Sequence, residues 1–130
     1  MSATAARAWL WAQASYYAVT GAWAVAAFPH FRAFVSLPVN AFQATAFAAV
    51  LLPVAAALAV AAARGAPLRY AAGLGAGVAL GLAATEAAWL PRFAGTRLWL
   101  DLPVELLFAA ALGRAAWGGV RERPGARKPV

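Results

Sequence analysis

The sequence predicts an all-α protein of four antiparallel transmembrane helices, and three observations predict it. The first is composition: of 130 residues, 65% are hydrophobic and 12% charged, with a mean hydropathy of +0.70. Soluble domains run near 45–50% apolar and about 25% charged, and a short chain keeps a large surface, so a soluble fold could not hide this much apolar side chain. Disorder is excluded too, because it requires low hydrophobicity. The second observation is spacing. The apolar residues gather into four runs, at 8–28, 42–63, 68–90 and 98–117. Each is about twenty residues long, enough to cross roughly 30 Å of hydrocarbon at about 1.5 Å per residue. The third is charge placement: the basic residues lie mostly between or beyond those runs.

Each run reads as a helix because a backbone in lipid has to satisfy its own hydrogen bonds. The first is longer than the 7–15-residue core of a signal peptide. It also carries Gln13, Tyr16, Tyr17 and Trp23, so it is expected to be a retained span. Pro29-His30-Phe31-Arg32 opens a connector that runs to about Ala41. Arg64-Gly65-Ala66-Pro67 reads as a tight turn, with Gly past one helix and Pro before the next. A third connector covers 91–97. Links this short make successive helices antiparallel neighbours. In the third run Gly73, Gly77 and Gly81 recur every fourth residue, a small-residue line that packs inside the protein or forms a homodimer face. Residues 1–117 thus form one transmembrane domain. The basic tail 118–130, rich in Gly and Pro, is expected to be disordered.

The net charge of +7 could point to nucleic acid in a soluble protein; here it sets topology. With four spans, Arg7, Arg64, Arg69, Arg114, Arg121, Arg123, Arg127 and Lys128 share one side, and Arg32, Arg92 and Arg97 the other. The positive-inside rule then puts both termini in the cytoplasm of a multi-pass inner (plasma) membrane protein. Trp9, Trp11 and Trp117 fall at the inner interface and Trp89 and Trp99 at the outer one, as an aromatic belt requires. The expected partners are the lipid bilayer and either further copies of the chain or a larger membrane complex, with no nucleic acid.

The chain holds four acidic residues, and Glu86, Asp101 and Glu105 all land in the outer half of the membrane. A carboxylate in hydrocarbon costs several kcal/mol unless it is paired, protonated or hydrated, so such residues face the interior and mark sites. Arg97, Asp101 and Glu105 are spaced by four on one helix face, where Arg97 can pair with Asp101. Two readings are open. In one, the acids form a buried network closed by Arg32, Arg92 and Arg97 that sets helix register. In the other, they line an outward pocket for a cation, a proton or a polar head group, with Tyr16, Tyr17, Thr20, Trp23, Gln43 and Thr45 completing its walls. The candidate ligand-binding residues are Glu86, Asp101, Glu105, Arg97, Tyr16, Thr20 and Trp23.

No catalytic residue, metal ligand or cofactor is expected. There is no cysteine, which removes thiolate sites and disulfides, and His30 is the only histidine. Ser2, Ser15 and Ser36 lack a nucleophile-elbow context.

Tyr16-x-x-x-Thr20-Gly21-x-Trp23, the late acid Glu86, and Leu100-Asp101-x-x-x-Glu105 together resemble a family of small bacterial four-span integral membrane proteins. The resemblance covers most of the chain and implies fold and topology, with no activity. It departs in the first connector, where that family has an acid and a Thr-Gly-Pro-Lys stretch and this chain reads Phe34-Val35-Ser36-Leu37-Pro38-Val39-Asn40. Pro103-Val104-Glu105-Leu106-Leu107-Phe108 is similar to the Pro-x-Glu-Glu stretch of bacterial lycopene cyclases, with Leu106 replacing the second Glu. That likeness implies an enzyme on an isoprenoid-like substrate with Glu105 as general acid. The first expectation is a non-enzymatic membrane protein with an acidic site in its outer half. The alternatives are an accessory subunit whose acids serve register only, and the cyclase-like enzyme.

Overall fold

The computed structural model describes residues 1–65, 67–92 and 96–118, and the helices among them are α1 (Ala3–Ala26), α2 (Phe28–Val35), α3 (Ala41–Arg64), α4 (Leu68–Trp89) and α5 (Leu98–Gly118). A short 3-10 turn, Leu90–Arg92, follows α4. The expectation of a disordered tail past Gly118 falls outside the described residues. The described residues are all-α. Two stretches, Ala41–Arg64 and Leu68–Arg92, are long and apolar enough to cross a membrane. Of the other two long helices, α1 carries Arg7 and Gln13 and α5 carries three charged residues, Asp101, Glu105 and Arg114.

Local chemistry sets the helix ends. The Ser2 hydroxyl accepts from Ala5 N–H at 3.2 Å and starts α1 ahead of its apolar run. A capping box starts α3: Asn40 Oδ1 accepts from Gln43 N–H and Gln43 Oε1 accepts from Asn40 N–H, both at 2.9 Å. Gly65 ends α3 in the left-handed conformation, φ +72°, and its N–H reaches Ala61 O at 2.9 Å. The Arg7 guanidinium lies where a Cβ on Gly65 would project, so the start of α1 packs on this turn.

The first connector corrects the sequence reading. Residues 28–35 form α2 rather than an irregular link. Pro29 sits in the first turn of a helix, where a missing N–H costs nothing, so it opens α2 instead of breaking it. Phe31 of α2 is buried against Ala24 of α1 and Ala44 of α3. Ser36 closes α2 with φ +56°.

The first half of α1 packs with the last half of α3, the first half of α4 and the last half of α5. Successive long helices therefore run in opposite senses. Close partners are α1 with α3 and α4 with α5. Most of the core positions are alanines, including Ala6, Ala14, Ala62, Ala72 and Ala115, which let the backbones approach closely. The glycine line behaves differently from the internal packing offered for it. Only Gly73 has a neighbour within reach, Ala116, while Gly77 and Gly81 face open space. On α4 the glycine at a close crossing is Gly75, where a Cβ would run into Gln13 Oε1 of α1 and Leu112 of α5. Arg69 donates its Nε–H to Ala116 O at 2.8 Å, tying α4 to the end of α5.

The buried core is mainly apolar, yet large apolar side chains also reach the surface. Phe42 and Trp117 are each 80% exposed, and Val19 and Val50 are exposed as well, while Gln13 and Glu105 are inside.

Candidate functional site

Two polar residues of α1, Gln13 and Tyr17, lie one turn apart and point inward. Two acids of α5, Asp101 and Glu105, are likewise one turn apart. The helices set these pairs against each other. Tyr17 OH donates to Glu105 Oε2 at 2.7 Å, and the neighbouring Tyr16 OH donates to Asp101 Oδ1. Gln13 Nε2 donates to Tyr17 OH at 3.0 Å and to Gly75 O at 2.9 Å. The chain of bonds runs from α5 through α1 to the α4 backbone. Phe108 of α5 packs on the rings of Trp9, Tyr16 and Tyr17, with centroids 5.8–6.4 Å apart, and shields the network on its flank.

Beside this network lies a cavity of about 560 Å³, within the size range of small-molecule sites. Tyr16, Thr20 and Trp23 of α1 form one wall, and they share a face because they are spaced by four and three. Phe31, Phe34 and Val35 of α2 form another. Gln43 and Phe47 come from α3, Glu86 from α4, Arg97 from just before α5 and Asp101 from its first turn. Arg97 N–H donates to Val35 O at 3.2 Å, a backbone bond that ties the start of α5 to the end of α2. Glu86 is only 9% exposed, and its Oε2 has no hydrogen-bond partner.

Of the residues singled out in the sequence, Tyr16, Thr20, Trp23, Glu86, Arg97 and Asp101 thus meet at one cavity. Glu105 does not. It is 1% exposed and stands behind Tyr17. Thr45 is turned away, its hydroxyl bonded to Ala41 O, and His30 is exposed. The arginine network is also corrected. Among the described residues no arginine pairs with Glu86, Asp101 or Glu105. The Arg97 guanidinium lies 4.5 Å from the Phe34 ring centroid and that of Arg92 4.7 Å from Trp89, so aromatic faces take the place of the carboxylates. Among the described residues no group of His, Cys, Asp and Glu side chains is placed to hold a metal ion.

Sequence reasoning missed Gln13 as a node of the network and α2 as a wall of the cavity. The signal for Gln13 was present: a lone amide inside an apolar helix, four residues before Tyr17. Nothing local announced the wall of α2, since Phe31 and Phe34 reach the cavity only because the chain doubles back after Ala27.

No protein-family model, curated protein or solved structure matches this chain.

Proposed function

We propose that the chain is a non-enzymatic, four-span inner-membrane protein with both termini in the cytoplasm, whose outer-half cavity binds a small molecule or ion. Exposed Phe42, Val50 and Trp117 on the outside and Gln13, Tyr17 and Glu105 on the inside support residence in lipid, where apolar surface is solvated and polar groups are not. The distribution of basic residues supports the orientation, and the resemblance to small bacterial four-span proteins supports the span count.

One observation carries the binding role: the buried carboxyl of Glu86 lines a cavity and its Oε2 has no partner. A group of this kind is costly unless something complements it. A purely structural acid would be bonded to its neighbours, as Glu105 is. Native mass spectrometry of the protein released from mild detergent tests the reading. A small molecule retained by the wild type and lost in Thr20→Trp, which fills the cavity, is the expected result. Identical spectra for a folded Thr20→Trp and the wild type would overturn it.

A further inference from the structure

We propose that the occupant of this cavity is an amphipathic organic monocation, its positive head at Glu86 and Asp101 and its apolar body against Trp23, Phe31 and Phe34. The inference rests on the cavity being a binding site and adds the chemical class of the ligand.

The charge balance points to a cation. Glu86 and Asp101 both line the cavity, and Oε2 of Glu86 is unpartnered. An anion would bring like charge against two carboxyls in surroundings that screen poorly. The Arg97 guanidinium, which also lines the cavity and lies on the face of Phe34 at 4.5 Å, offsets one of the two carboxylates and leaves one negative charge to be balanced. A neutral molecule would leave an ionised Glu86 without a counter-charge.

The walls point to an organic cation rather than a bare metal ion. A metal ion is held by several oxygen, nitrogen or sulfur ligands. Among the described residues no cluster of His, Cys, Asp and Glu provides them. The walls instead offer rings: Trp23 packs on Phe31 and Phe34 with centroids 5.7 and 5.1 Å apart. Ring faces attract cations and also solvate an apolar body.

Binding of tetraphenylphosphonium and of tetraphenylborate, ions of matched shape and opposite charge, to the purified protein in detergent tests the class. The phosphonium is expected to bind and the borate not. Glu86→Gln, which keeps the volume and removes the charge, is expected to weaken phosphonium binding about tenfold or more, equivalent to about 1.4 kcal/mol. Asp101→Asn serves as the second variant should Glu86→Gln not fold. Phosphonium affinity unchanged in a folded Glu86→Gln overturns the cation. Binding of the borate alone, blocked by Thr20→Trp, also overturns it and leaves the cavity as a binding site. Binding of either ion that a folded Thr20→Trp leaves untouched, or no binding at all, sinks the cation and the cavity reading together.

Discussion

Tyr17 donates its hydroxyl hydrogen to Glu105 at 2.7 Å, and both residues are almost wholly removed from the surface. The bond joins α1 to α5 and is itself buttressed by Gln13. Removing the donor leaves a buried acid uncompensated, which costs more than the bond contributes when intact. Tyr17→Phe is therefore expected to destabilise the fold by about 1–3 kcal/mol. Glu105→Gln, which can still accept from Tyr17, is expected to cost less. Thermal unfolding in detergent, followed by circular dichroism, reads both. An unchanged midpoint for Tyr17→Phe would show that the bond holds nothing together.

Gly75 and Gly77 give a matched pair on one helix. A methyl at Gly75 collides with Gln13 and Leu112, whereas one at Gly77 meets open space. Gly75→Ala is expected to cost about 1–3 kcal/mol through overpacking. Gly77→Ala is expected to be neutral or to stabilise by up to about 1 kcal/mol, because alanine is the better helix former. The same unfolding assay decides. Equal costs at the two sites would contradict a packing in which Gly75 faces α1 and α5 and Gly77 faces open space.

The capping box at Asn40 positions the first turn of α3, and Gln43 of that turn lines the cavity. Asn40→Ala is expected to lower stability by about 1 kcal/mol, and Asn40→Ser to recover most of it. A serine variant no better than alanine would mean that the side-chain bond to Gln43 N–H is not what starts the helix.

Orientation is open to a direct labelling test, since the chain has no native cysteine. Arg64 and Pro38 are exposed, at opposite ends of α3. With both termini in the cytoplasm, Pro38→Cys is expected to react with a membrane-impermeant maleimide added to intact cells. Arg64→Cys is expected to react only after the membrane is opened. The reverse pattern would invert the topology, and labelling of both from outside would remove the four-span arrangement.

Much of the helical content is legible along the chain. The all-α class follows from four apolar runs, and α4 and α5 begin at Leu68 and Leu98, where those runs begin. The start of α1 at Ala3 was not seen, because Thr4 and Arg7 are polar and hydropathy ignores a serine cap. The helix over 28–35 was hidden by Pro29, whose effect depends on whether it falls in a first turn or an interior one.

The candidate site divides the same way. Composition alone determined that Glu86, Asp101 and Glu105 have to find something inside the protein, since each is a polar group in an apolar stretch, and the spacing of Tyr16, Thr20 and Trp23 put them on one face. Only the tertiary structure decided that Tyr17 takes Glu105, that Arg97 turns to Phe34, and that Glu86 is left facing a cavity. Those outcomes depend on how far each helix is rotated and slid against its neighbours. That geometry arises from Ala-rich contacts between residues far apart in the chain, and no local spacing carries it.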